Sequence, residues 1–80
     1  MDDQQVIGQI EALADEEHQL LRRAAEDRMD DADRERLHTI EVQLDRCWDL
    51  LRQRRARRAA GLDPDQAHTR AESTVEGYLQ

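Results

Sequence analysis

The sequence predicts an all-α protein: an antiparallel two-helix hairpin with a short irregular C-terminal extension, expected to dimerise into a four-helix bundle. Three observations lead there. Apolar residues recur at alternating three- and four-residue spacings in two long blocks. A run of acids without apolar periodicity separates the blocks. The first block is acidic and the second is basic, so they attract when folded against each other.

In the first block Val6, Ile10, Leu13, Leu20 and Ala24 fall on one stripe, with Glu17 at a position where an apolar residue is expected. Ile7, Ala14 and Leu21 widen the stripe on one flank. Asp2 or Asp3 suits the N-cap, and the helix is expected over about 3–26. Residues 27–33 read Asp-Arg-Met-Asp-Asp-Ala-Asp, which places a connection at about 27–30. Asp30 or Asp31 can cap the next helix, and Asp33 and Glu35 suit its positive end.

The second stripe is Leu37, Ile40, Leu44, Cys47 and Leu51, flanked by Glu41, Trp48 and Leu50. This helix is expected over about 31–60, with Gly61 as its stop. Arg52, Arg54, Arg55, Arg57 and Arg58 crowd the last turns, where positive charge suits the negative end of the helix dipole. The hairpin therefore occupies 1–60 and the extension 61–80. Within the extension, Asp63-Pro64-Asp65-Gln66 reads as a cap, a proline at the first helical position and a brief turn. Ser73-Thr74-Val75-Glu76 is a capping-box pattern, and Val75, Tyr78 and Leu79 are apolar enough to dock.

A short connection makes the helices antiparallel neighbours. With the turn near residue 29, facing residue numbers sum to about 58. Asp2 and Asp3 then lie beside Arg55, and Glu11 lies beside Cys47 within reach of Arg46. Residues 1–33 carry a net charge of −8, residues 34–60 carry +4 and residues 61–80 carry −3. All 12 basic residues are arginine.

Eighty residues allow one domain with a small core, so help from a disulfide, a metal or self-association is expected. Cys47 is the single cysteine, which excludes a disulfide within the chain, suits a reducing compartment and fits a small buried apolar role. No stretch approaches the roughly 20 apolar residues of a membrane span, and the acidic start Met1-Asp2-Asp3 is unlike a secretory signal. A cytoplasmic protein without membrane partners is the expectation. There is no glycine-rich phosphate loop, Cys-x-x-Cys pair or nucleophile elbow. Gly8, Gly61 and Gly77 lie far apart, Ser73 sits in the extension and Cys47 on the core stripe. No catalytic residue and no cofactor are assigned, and a non-enzymatic role is expected.

The arginine run could meet phosphates, but the chain carries a net −7, the run lacks interleaved aromatics and the facing acids neutralise it. No nucleic acid is expected. A protein partner could instead be met through Arg52, Arg54, Arg55 and Arg58, or through Tyr78. Self-association is the leading expectation, because Ile7, Leu21, Trp48 and Leu50 widen the apolar face beyond a single seam. The protein is then an interaction or adaptor module acting as a homodimer.

One polar set offers a different chemistry. Glu17 faces Glu41 across the hairpin, and His18 and His38 lie within about a turn of that pair. Facing carboxylates repel, so a proton, water, an arginine such as Arg22 or Arg46, or a divalent cation must relieve them. Glu17, His18, His38 and Glu41 are the candidate metal ligands, because carboxylate–histidine sets on facing helices hold metals in helical bundles. The competing reading is an arginine-bridged or hydrated polar layer that fixes register.

Three strings, Asp15-Glu16-Glu17-His18, Leu44-Asp45-Arg46-Cys47-Trp48-Asp49-Leu50-Leu51-Arg52-Gln53-Arg54-Arg55-Ala56 and Thr74-Val75-Glu76-Gly77-Tyr78-Leu79, resemble a family of short actinobacterial proteins catalogued as a domain of unknown function. The resemblance covers nearly the whole chain. It implies a compact bacterial cytosolic protein and carries no activity with it. The chain departs from the family at the connection, where Asp30-Asp31-Ala32-Asp33 replaces an expected proline or glycine turn.

Overall fold

The structure, a computed structural model, describes residues 2–68. Helix α1 spans Asp3–Ala25, helix α2 spans Asp31–Ala59, and a 3-10 turn follows at Pro64–Gln66. The expected capping box at Ser73–Glu76 and the anchors Val75, Tyr78 and Leu79 lie outside the described residues. Among those residues there is no strand, and no helix is long and apolar enough to cross a membrane.

Both helices start with a reciprocal cap. The Asp2 carboxylate accepts from the Gln5 N–H, and the Gln5 amide oxygen accepts from the Asp2 N–H, each at 2.8 Å. Asp30 and Asp33 repeat the arrangement at the start of α2, at 2.8 and 3.5 Å. Each pair satisfies two donors that the first helical turn leaves without partners.

Both helices also end in the same closure. At Gly61, φ is 73°, the Leu62 N–H donates to the Arg57 carbonyl at 2.7 Å and the Gly61 N–H to the Arg58 carbonyl at 3.1 Å. At Asp27, φ is 56°, the Arg28 N–H donates to the Arg23 carbonyl at 2.8 Å and the Asp27 N–H to the Ala24 carbonyl at 3.1 Å. Gly61 is the residue that this left-handed position favours. Asp27 fills it because a short polar side chain tolerates that conformation better than most. The closure at Asp27 tightens the connection and moves the turn centre toward residue 28. The facing register shifts accordingly. Gln9, rather than Glu11, lies by Cys47, with Sγ 3.8 Å from its Oε1. Asp3 meets Arg54 and Arg58, one turn apart, rather than Arg55.

The core is small and sits in two places. Val6, Ile10 and Leu51 are buried together at the open end of the hairpin, with Ile7, Leu44, Cys47 and Leu50 packed on them. Leu20 and Ile40 are buried nearer the connection. Leu13, Glu17 and Leu44 lie between, half-buried, and Ala24 is exposed at the end of the first stripe. Opposite charges link the helices along their length: Arg23 with Asp33 at 2.9 Å, Arg36 with both oxygens of Glu16, and Arg54 and Arg58 with Asp3. The described residues measure 49 × 24 × 17 Å, with a radius of gyration of 14.7 Å, an elongated shape.

Candidate functional site

On one side of the hairpin Glu17, Glu41, Leu44, Asp45, Trp48 and Arg52 line an open groove of about 420 Å³. Heptad spacing makes Glu17 share the inward face of α1 with Val6, Ile10 and Leu20, and Glu41 approaches from α2. The two acids expected to face each other thus line one groove, Glu17 half-buried and Glu41 exposed. Trp48 stands at the groove with 43% of its surface exposed. Leu21, on the same flank by helical phase, is 47% exposed. Asp45 is half-buried at the rim, and burial pushes its carboxyl up from the usual range.

The histidines do not join this pair. His18 is exposed. His38 is exposed as well and lines a separate hollow with Thr39, Val42, Gln43 and Arg46. Arg46 therefore lies away from Glu17 and Glu41, and Arg22 is exposed on α1. Among the described residues no group of three or more histidines, cysteines or acids is placed to hold a metal ion. Glu17 is thus a polar side chain on the inward face of α1 beside an open groove. Glu17→Leu should raise the melting temperature, because leucine there extends the buried stripe by about 1 kcal/mol. Manganese, iron(II) or zinc should leave the melting curve of the unsubstituted protein where it is. A metal-dependent rise that Glu17→Leu abolishes would establish the metal reading instead.

The other side of the hairpin carries a second groove of about 430 Å³, lined by Gln9, Ala12, Leu13, Gln43, Arg46 and Cys47. Cys47 is half-buried there, and burial pushes its thiol up. That keeps it protonated at neutral pH and poorly nucleophilic.

The arginine run is divided by the fold. Arg54 is 5% exposed. Its Nε donates to Asp3 at 2.7 Å, and its NH1 donates to the Pro64 carbonyl at 3.2 Å and to Asp65 at 3.0 Å. Arg58 donates to the second oxygen of Asp3, and Arg57 donates to the Asp63 carbonyl and to the Gln66 side chain. The two arginines hold the Asp3 carboxyl well below the usual carboxylate range. The expectation that Arg54 presents charge to a partner is corrected: it joins the start of α1, the end of α2 and the 3-10 turn inside the molecule. Arg52 and Arg55 remain on the surface. Tyr78, the other expected contact, lies outside the described residues.

The inward reach of Arg54 was missed by heptad reading, which stops at Leu51. Two signals could have found it. Arg54 and Arg58 continue the Cys47–Leu51 stripe at spacings of three and four, and Asp63-Pro64-Asp65 places acids right after a basic helix end. Asp49 was missed too. It is 2% exposed, accepts from Gln53 at 2.9 Å and stands off the stripe that meets α1.

A family profile described as "Protein of unknown function (DUF2630)" matches residues 2–80. Uncharacterised proteins of Mycobacterium bovis and of Mycobacterium tuberculosis are each 54% identical to this chain over 46 residues, which cover 58% of this chain and 53% of the relative. The chain spans about half the length of the curated relatives it matches. No solved structure matches it.

Proposed function

We propose, for a chain that belongs to the DUF2630 family of unknown function, a non-catalytic cytoplasmic interaction module that works as a homodimer. The observation that carries this reading is the exposure of Trp48 and Leu21 on one flank of a hairpin with five buried apolar side chains among the described residues. Leu44 stays half-buried in the groove beside Trp48. Placing the Trp48 flank of one copy on the same flank of another would form a two-fold four-helix bundle, since a two-fold contact uses one patch twice. Covering each large side chain contributes roughly 1.5–3 kcal/mol when complete, which a core this small lacks on its own.

The metal-binding bundle is the second reading. It draws support from Glu17 and Glu41 sharing one groove. The positions of His18 and His38 do not favour it.

Light scattering at micromolar concentration should report twice the 9.4 kDa of the chain. Trp48→Glu should return the mass to that of one chain while helical circular dichroism persists, because it places a charge in the contact. A folded monomer for the unsubstituted protein would overturn the dimer.

A further inference from the structure

Arg36, Arg54 and Arg58 of α2 each hold an acid of α1. Arg46 lies between them on the same helix and joins none of these pairs. The register explains why. With the turn centre moved toward residue 28, the uncharged Gln9 rather than Glu11 comes beside Cys47. Ala12 and Leu13, the other residues of α1 that line the groove with Arg46, carry no charge either. Arg46 is half-buried, and its Nε is buried without a hydrogen-bond partner among the described residues. A buried guanidinium N–H in that state carries a desolvation penalty that an acceptor removes.

The space beside Arg46 has a definite chemistry. It is the groove of about 430 Å³ between α1 and α2, which falls in the size range of small-molecule sites. Ala12 and Leu13 line it with hydrocarbon. Cys47 is neutral there, because burial pushes its thiol up, so it sets no charge against an anion. Gln9 accepts from the Cys47 thiol with its Oε1 at 3.8 Å, which leaves its amide N–H groups to donate. No acid is among the lining residues. Apolar walls with one cation and two side-chain amides are the mixture that fixes a small ligand in one orientation. The hollow with His38, Thr39 and Val42 shares Gln43 and Arg46 with the groove, so Arg46 stands at the boundary of the two.

We propose that this groove binds a small aliphatic monocarboxylate, with its carboxylate on the Arg46 guanidinium and its hydrocarbon body on Ala12, Leu13 and Cys47. The planar fork of guanidinium donors matches the two oxygens of a carboxylate. One guanidinium on a chain of net −7 favours a single negative charge over a dianion. No aromatic ring lines the groove, so a flexible hydrocarbon suits it better than a stacked ring. The groove lies on the other side of the hairpin from Trp48, so the site stands or falls separately from the dimer.

The probe is octanoate titrated into the full chain at neutral pH, followed by nuclear magnetic resonance of backbone amides and arginine Nε–H groups. Signals of Ala12, Leu13, Cys47 and the Arg46 Nε–H should shift together. They should saturate with a Kd below about 1 mM, which is within reach of a ligand of about ten non-hydrogen atoms. Neutral 1-octanol and inorganic phosphate should each bind about tenfold more weakly or worse. Arg46→Met keeps the apolar stem and should weaken octanoate about fivefold or more, whereas Arg55→Met, at an exposed arginine, should leave it unchanged. Equal binding of 1-octanol, or unchanged binding in Arg46→Met, would take the carboxylate out of the recognition. Equal binding of phosphate would take the hydrocarbon out of it. Shifts centred on Trp48 and Leu21 would put the ligand on the other flank. The same signals moving with protein concentration alone would give the groove to a second copy. Each of these results, or a lack of saturation up to about 10 mM, overturns the proposal.

Discussion

Leu51→Ala should cost about 2–5 kcal/mol, the usual effect of truncating a fully buried leucine. Leu51 is 1% exposed and packs with Val6 and Ile10 at the open end of the hairpin. The whole chain, by its length, has roughly 4–12 kcal/mol of stability in hand, so a single truncation removes a large part of it. With five buried apolar side chains among the described residues, little of the core around Leu51 can collapse into the space. Urea denaturation followed by circular dichroism measures the change. A loss below about 1 kcal/mol, the size of a surface effect, would mean that the open end is not the core.

Arg54→Met should lower the melting temperature several times more than Arg55→Met and should flatten the acid side of the stability profile. Methionine keeps the apolar stem but removes every bond that joins Asp3, Asp65 and the Pro64 carbonyl at one guanidinium. The pH dependence follows from Asp3. Its carboxyl, ordinarily near 3.8, is held far lower in the fold by Arg58 and Arg54. A depressed carboxyl binds more protons unfolded than folded, so its contribution is complete above the unfolded value and is lost as pH falls below it. Glu16, lowered by Arg36, acts in the same sense. Asp45 acts in the opposite sense, since burial raises it and protonation favours the fold. Melting temperatures between neutral pH and pH 3 should therefore fall steeply in the unsubstituted protein and less steeply in Arg54→Met. Parallel curves would show that Arg58 alone holds the Asp3 carboxyl down and that Arg54 adds no linkage of its own.

What the sequence displayed and what it hid divide along physical lines. Helix limits were legible to within about one residue, because Asp2, Asp30 and Gly61 act locally through their own backbone and side chains. The pairing of α1 with α2 followed from the stripes and the charge bias. The exact register did not, since it depends on Asp27 adopting a left-handed backbone that nothing in its neighbours demands. In the candidate site, Glu17 and Glu41 were brought to one groove by heptad arithmetic alone. His18 and His38 were not, because helical phase sets both on the flank rather than on the stripe, where they are exposed. Arg54 and Asp49 escaped notice because charged residues are read as surface by default, and Arg54 is held by Asp3, far away in sequence.

The ion pairs and polar contacts across the hairpin form an ordered ladder with a kinetic consequence. Arg23 and Asp33 are 10 residues apart, Glu16 and Arg36 are 20, Gln9 and Cys47 are 38, and Asp3 is 51 from Arg54 and 55 from Arg58. Closing a longer loop costs more chain entropy, so the rungs form in that order, from the connection outward. The Arg54 cluster closes last and opens first. An element that is still unformed at the folding barrier sets how long a folded molecule lasts and hardly affects how fast one is made, so Arg54→Met should speed unfolding and leave the folding rate nearly unchanged.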